Sequence, residues 1–228
     1  MQINTLILGA GAAGLMCAAH AGPNTLVIDH AKKPGEKIRI SGGGRCNFTN
    51  MYCTPENFLS ENPHFAKSAL ARYTQWDFIE LVARHGIAYH EKTLGQLFCD
   101  GKSTQIVQML LDEMARAEAS LWLETSLISL AHDGAHFAAT LEHKGKRKTV
   151  FAQNVVVATG GKSIPKMGAS GVAYDIAAQF GHSLTETRPA LVPFTFSDNP
   201  FTPLAGTAAD TRATAGHASF DEATLFTH

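Results

Sequence analysis

The sequence predicts an α/β fold whose parallel sheet opens with a nucleotide-type β-α-β unit, and three observations carry that prediction. Gly9-Ala10-Gly11-Ala12-Ala13-Gly14 sits between an apolar run, Thr5 to Leu8, and a small-residue helical pattern, Leu15 to Ala21. A second apolar run, Thr25 to Ile28, ends in Asp29, twenty residues beyond Gly9. Far downstream, Asn154-Val155-Val156-Val157-Ala158 has the continuous apolar character of a strand buried on both faces of a parallel sheet.

The spacing gives each part of the first unit a job. In the G-x-G-x-x-G pattern the first glycine permits a tight turn, the second lets the backbone approach a pyrophosphate, and the third seats the helix on the sheet. The free N–H groups and positive dipole end of that helix receive phosphate charge. An acid about twenty residues on meets a ribose. After Asp29, residues 31–50 read as a basic, glycine-rich connection. Thr74-Gln75-Trp76-Asp77 reads as a helix cap leading into Phe78, Ile79, Leu81 and Val82 and stopping at Gly86. A second helix follows Ser103, with Ile106, Val107, Leu110, Leu111 and Met114 on one face. Residues 121–130 read as one strand, and residues 135–141 and 149–157 as a hairpin around Lys144-Gly145-Lys146. A helix from Val172 to Phe180 ends at Gly181. Prolines 189, 193, 200 and 203 then change the texture, and alternating strands surround Ala215-Gly216-His217. A domain boundary is expected near Arg188: residues 1–188 form the nucleotide domain, and residues 189–228 begin an inserted, mostly-β domain.

Composition narrows the class. The 228 residues are 45% hydrophobic and 17% charged with net charge −1, a globular balance that argues against broad electrostatic capture of nucleic acid but leaves local patches open. No apolar run is long enough for a membrane span, and with the first strand beginning almost at Met1 no cleavable leader is expected. The four cysteines form no C-x-x-C pair, so reduced thiols and a cytoplasmic location are expected. The histidines pair with no carboxylates at ligand spacing, so no metal is expected.

Ser41-Gly42-Gly43-Gly44-Arg45-Cys46-Asn47 is the sharpest further motif. Three successive glycines suit neither a helix nor a strand interior. They suit a backbone lying against a flavin ring and its pyrophosphate, with Arg45 and Asn47 fixing polar groups; a flexible linker is the plainer alternative. Among the surrounding cations, Lys32 and Lys33 read equally as a solvated face or as part of the site, and Lys37 and Arg45 are the better candidates for phosphate contact. Thr159-Gly160-Gly161 returns the chain to the nucleotide at the carboxyl edge of the sheet. Gly101-Lys102-Ser103 and Gly161-Lys162-Ser163 are not P-loops, because Gln96 and Val156 stand where the first glycine belongs. Cys46 reads either as a redox thiol or, more simply, as a small side chain in a crowded loop. Lys144, Lys146, Arg147 and Lys148 read as a solvated hairpin tip or as a phosphate-binding patch for nucleic acid.

The glycine turn and residues 37–50 together resemble the bacterial HI0933-like, or aminoacetone-oxidase-like, FAD-binding flavoproteins. Further matches are residues 158–161, Ile164-Pro165, Gly168, Gly171, Gly181-His182, residues 189–193 and residues 225–228. The resemblance implies a Rossmann-like, glutathione-reductase-like domain that binds FAD, interrupted by an insert beginning near Pro189. On the matching positions it implies a cofactor site of Gly9, Gly11, Ala12, Ala13, Gly14, Asp29, His30, Lys37, Ser41 to Asn47 (Ser41, Gly42, Gly43, Gly44, Arg45, Cys46, Asn47), Thr159, Gly160 and Gly161. Leu127 is added as an adenine contact through its backbone. Cys99 stands where the family usually has proline. Relatives continue beyond His228, so the chain reads as an amino-terminal portion, expected to hold FAD weakly or not at all on its own.

The expected activity is that of an FAD-dependent oxidoreductase, reducing a conjugated C=C bond or oxidising a small organic substrate, with NADH or NADPH as transient donor. Two alternatives stand beside it: a flavin-dependent reductase of a uridine base in RNA, and a non-catalytic flavin-binding module.

Overall fold

The computed structural model describes residues 1–164, 170–189, 192–198 and 200–227. Pro165, Gly168, Ala190, Leu191 and His228 lie outside the described residues. The chain forms two compact units, Met1–Thr185 and Glu186–His228.

The first unit is built on strands β1 (Gln2–Leu8), β2 (Thr25–Ile28), β6 (Ser120–Trp122), β7 (Thr125–His132), β8 (Phe137–His143) and β9 (Lys146–Val157). They form one sheet in the order β6-β2-β1-β9-β8-β7, in which β6, β2, β1 and β9 run parallel and β7, β8 and β9 form an antiparallel meander. This is the Rossmann-like α/β class expected from the glycine turn. A second, three-stranded antiparallel sheet comprises β3 (Asn47–Asn50), β4 (Tyr89–Glu91) and β5 (Gln96–Cys99), in the order β3-β5-β4.

Side-chain alternation along β1 and β2 sorts the core into two layers. Ile7 and Val27 point to one face, where α1 (Ala12–Ala21), α4 (Gln75–Arg84) and α5 (Thr104–Arg116) bury Leu15, Ala18, Leu81, Val82, Ile106 and Leu110. Leu6, Leu8, Leu26 and Ile28 point to the other, against Leu130, Leu141 and Val150 of the meander and Ile176 of α6 (Val172–Gln179). Each fully buried leucine or isoleucine contributes about 1.5–3 kcal/mol of transfer free energy. The anticipated face of α5 is the buried one, and α4 begins at the anticipated cap: Thr74 Oγ1 accepts from Asp77 N, and Asp77 Oδ2 accepts from Thr74 N.

Four local expectations are corrected. Residues 121–130 are not one strand, because Glu124 adopts φ +51 and separates β6 from β7. Residues 31–50 are not all loop: α2 (Glu36–Ile40) and β3 lie within them, with α3 (Lys67–Arg72) following before α4. The hairpin is longer than anticipated. His143 pairs Lys146 around a two-residue turn, Lys144 at φ +50 and Gly145 at φ +74. The end of β9 is not buried on both faces; Val157 is exposed because β8 pairs with β9 only as far as Ala152. The second unit contains a hairpin of β10 (Ala208–Ala215) and β11 (Ala218–Leu225), paired antiparallel from Ala208↔Leu225 to Ala215↔Ala218.

Candidate dinucleotide site

The strand order reverses between β1 and β9, where an open α/β sheet leaves a crevice beyond its carboxyl ends. The glycine turn stands there, tied on both sides: Gly9 N donates to Ile28 O at 2.8 Å, and Ala158 N donates to Leu8 O at 2.8 Å. The three glycines play three separable parts. Gly9 has φ +108, and a Cβ on it would stand 2.5 Å from Ala158 O. A Cβ on Gly14 would stand 1.8 Å from Gly9 O, so only glycine lets α1 sit this close. A Cβ on Gly11 would meet nothing within 4 Å; its open face is a cradle for something other than protein. Ala12 and Ala13 are exposed in the first turn of α1, which has no side-chain cap and no acid. The N–H groups of that turn lack intrahelical partners and face outward with the positive dipole end.

Asp29 braces this turn. Its Oδ2 accepts from Ala10 N at 2.7 Å and its Oδ1 from Ala31 N at 2.9 Å, with the side chain only 16% exposed. The His30 imidazole is exposed, with Nδ1 3.5 Å from Asp29 Oδ1. Gly35, at φ +68, donates its N–H to Ala10 O at 2.8 Å and so starts α2 against the glycine turn. In the first turn of α2, Lys37 Nζ donates to Ser163 Oγ at 3.0 Å, beside Gly160.

The Ser41 to Asn47 loop continues from α2. Gly42 and Gly43 take left-handed conformations, φ +57 and +65, inside a 3-10 turn, which explains the run of glycines. A Cβ on Gly42 would stand 2.7 Å from Asn47 N and from the Phe98 ring, whereas one on Gly43 would meet nothing. Ser41 Oγ donates to Ile38 O, and the loop is held by Ser103 N to Gly44 O at 2.7 Å and Cys99 N to Arg45 O at 2.9 Å. The Arg45 and Asn47 side chains are exposed. Cys46 is buried with φ +52; burial pushes its thiol up, with the Ser41 hydrogen bond pulling the other way. A raised thiol suits the packing reading of Cys46.

Thr159 closes the crevice. Its Oγ1 is buried with no hydrogen-bond partner, and its Cα would be 3.1 Å from a Cβ on Gly9. An orphaned buried hydroxyl costs about 1–3 kcal/mol unless a partner satisfies it. Together with the bare helix terminus, the open Gly11 face and the Lys37 ammonium, it fits a bound dinucleotide phosphate chain.

Direct contacts thus join Gly9 to Gly14 with Asp29, and the turn with Ala158 and Thr159; Lys37 reaches Gly160. Leu127 is set apart: its half-buried side chain packs with the opposite core layer, two residues beyond Thr125, whose N–H donates to Asp29 O. Sequence reading missed Ser163, Gly35 and Tyr174, whose hydroxyl would be 3.3 Å from a Cβ on Gly161. Gly161-Lys162-Ser163 held the signal for Ser163, hidden by its failure to match a P-loop. Among the described residues no cluster of three or more His, Cys, Asp or Glu could hold a metal, and no helix is long and apolar enough to cross a membrane.

A family model described as the HI0933-like protein Rossmann domain matches residues 3–225. The chain is 51% identical over 234 aligned positions to the ribosomal RNA dihydrouridine synthase of Escherichia coli K12, covering 100% of this chain and 58% of that protein. It is 47% identical to the enzyme of the same name from Haemophilus influenzae Rd, covering 98% of this chain and 57% of that one. The chain therefore spans somewhat more than half the length of these relatives. Among solved structures, the 3-ketosteroid-Δ4-(5α)-dehydrogenase of Rhodococcus jostii RHA1 superposes with TM-score 0.53 at 17% identity, covering 71% of this chain and 46% of that one. At that identity the likeness speaks to fold alone.

Proposed function

The chain belongs to the HI0933-like Rossmann-domain family, and from that premise we propose that it is the cofactor-binding portion of an FAD-dependent oxidoreductase that reduces a uridine base of ribosomal RNA. The observation that carries the cofactor reading is the crevice itself: a bare helix terminus, an open Gly11 face, an unsatisfied Thr159 hydroxyl and the Lys37 ammonium converge on it. The substrate reading draws support from the two relatives at 51% and 47% identity, both named for dihydrouridine synthesis in ribosomal RNA. They favour the RNA-base alternative over a small-molecule enone.

FAD held here and reduced by the proposed donor, NADH or NADPH, would supply the hydride for an electron-poor C=C bond such as the uracil 5,6-bond, with the accompanying proton drawn from solvent. The residues of this chain hold and orient it. The first turn of α1 and Lys37 offset the pyrophosphate charge. Asp29 keeps the turn in shape and has lone pairs left for ribose hydroxyls. The Ser41 to Asn47 loop, with Gly43 open and Arg45 and Asn47 exposed, offers backbone and donors to the ring end.

The test is to incubate the full-length protein, anaerobically and with NADH or NADPH, with ribosomal RNA transcribed in vitro, then digest the RNA and measure nucleosides by mass spectrometry. The expected result is dihydrouridine at a discrete position. Flavin reduction and reoxidation without dihydrouridine, in all ribosomal RNA tested, would leave the oxidoreductase and remove RNA as its substrate.

A further inference from the structure

The basic hairpin between β8 and β9 does not stand alone on the surface. Ala31 O accepts from Glu124 N at 3.1 Å, and Glu124 O accepts from Lys144 N at 3.1 Å. These two bonds join the segment after Asp29 to the tip of the hairpin, more than a hundred residues away. The backbone just before Lys32 and Lys33 is thereby tied to the hairpin tip that carries Lys144, Lys146 and Arg147. Lys32, Lys33, Lys144, Lys146 and Arg147 are exposed, and none forms an ion pair among the described residues. The acids of the joined stretches are Glu36, Glu124 and Glu142, the last opposite Arg147 across the hairpin, in a chain whose net charge is −1. A cluster of unpaired cations repels itself and is poorly explained as a stabilising surface.

The cluster has a rigid base. Lys148 Nζ lies 4.8 Å from the centroid of the Trp122 ring, which packs against His143 at 4.9 Å, and His143 Nδ1 is 2.6 Å from Thr125 Oγ1. The two-residue turn at Lys144-Gly145 holds the hairpin in one register. The cations are therefore displayed from strand ends and a tied-down segment.

We propose that Lys32, Lys33, Lys144, Lys146 and Arg147 form an RNA-docking surface that grips the phosphate backbone of the substrate, beside the Asp29 end of the dinucleotide crevice. The proposal rests on the uridine-reductase reading for the identity of the RNA, and on charge complementarity for the surface itself. Such contacts are blind to sequence and position the strand, and each releases condensed counterions.

The experiment uses the full-length protein and a fluorescently labelled ribosomal RNA fragment, with binding read by anisotropy from low to high salt and dihydrouridine by mass spectrometry. The variant is K32Q/K33Q/K146Q/R147Q, which spares Lys144 in its left-handed turn and Lys148 on Trp122. Its flavin absorbance and thermal unfolding are checked against the parent. The expected result is at least a ~10-fold loss of RNA affinity and a log–log salt slope shallower by about 3, from four lost phosphate contacts. Unchanged affinity and slope in a folded, flavin-loaded variant would overturn the proposal. So would loss of binding to anionic phosphatidylglycerol vesicles with RNA binding intact, which would make the face a membrane contact. If the parent binds RNA, the variant does not, and neither yields dihydrouridine, the docking surface stands and the uridine-reductase reading falls.

Discussion

Gly14 lies so close to Gly9 that a methyl group on it would stand 1.8 Å from the Gly9 carbonyl oxygen, while the same group on Gly11 would meet nothing within 4 Å. Two glycines of one motif therefore answer to different constraints, one to packing and one to a ligand. In the full-length protein, Gly14→Ala is expected to destabilise by ~3 kcal/mol or more, because backbone rather than a flexible side chain must yield. Gly11→Ala is expected to leave the unfolding temperature of the flavin-free protein nearly unchanged and to weaken FAD binding at least ~10-fold, the effect of about 1.4 kcal/mol. Differential scanning calorimetry and flavin-quenching titration separate the two. Equal stability losses for both variants would contradict the division.

Asp29 accepts two backbone N–H bonds, from Ala10 and Ala31. Asn keeps one acceptor oxygen and places an amide donor against the other N–H. Asp29→Asn should cost roughly 1–3 kcal/mol, the penalty of one unsatisfied and partly buried donor. FAD affinity should fall as well, because the Ala10 turn is part of the cradle. A denaturant-midpoint shift in flavin-free protein measures the first effect, and a titration the second.

Lys37 reaches across to Ser163 from the first turn of α2. If its ammonium serves the pyrophosphate, Lys37→Met should weaken FAD and leave riboflavin, which has no phosphate, bound as before. The expected change for FAD is about 10-fold, in the range of one charge-assisted contact. A parallel loss for riboflavin would mean that Lys37 holds the loop rather than the phosphates.

How far the sequence could be read depended on range. The glycine turn, Asp29, α4 with its Thr74 cap and the buried face of α5 were legible, because each is encoded within one element by spacing and by residue type. The break at Glu124 was not, since a left-handed non-glycine residue leaves no strong compositional mark. Gly35 looked like one loop glycine among many until its bond to Ala10 appeared. The Ser163 partner of Lys37 lies 126 positions away, and the joining of Ala31 to Lys144 passes through a third segment. No periodicity carries such pairings. The exposed end of β9 misled for a related reason: an apolar run reports what a strand prefers, and Val157 finds no covering layer among the described residues.

Cys99 is buried and faces Cys46 across the start of the β3–β5 pairing, where Asn47 pairs with Phe98. Burial, reinforced by the neighbouring Cys46, pushes the Cys99 thiol up to about 11. Its proton is held more tightly in the folded chain than in the unfolded one, where the ordinary value is 9.0. The resulting stabilisation is present in full below pH 9 and is lost as pH rises through about 11. Iodoacetamide should therefore label partly exposed Cys53 at pH 8, with Cys46 and Cys99 protected until strongly alkaline pH. Peptide mass mapping after timed labelling reads this. Labelling of Cys46 at pH 8 as fast as a free thiol would return it to the list of reactive residues.

The reciprocal bonds of Thr74 and Asp77 make stability depend on acid in the opposite sense. Thr74 Oγ1 accepts from Asp77 N at 3.3 Å, and Asp77 Oδ2 accepts from Thr74 N at 2.6 Å. The side-chain hydrogen bond from Thr74, joined by the backbone one, holds the Asp77 carboxyl below its ordinary value of 3.8. A carboxyl depressed by folding contributes stability that is present above its unfolded value and lost as pH falls through the folded one. Removing the cap hydroxyl with Thr74→Ala should lower the unfolding temperature by about 2–4 °C at pH 7, the usual worth of a threonine cap in a domain of this size. The same substitution should matter less as pH falls through the depressed folded value of the carboxyl, where protonation weakens the reciprocal bond. A deficit that stays constant across that fall in pH would mean that the hydroxyl caps α4 independently of Asp77.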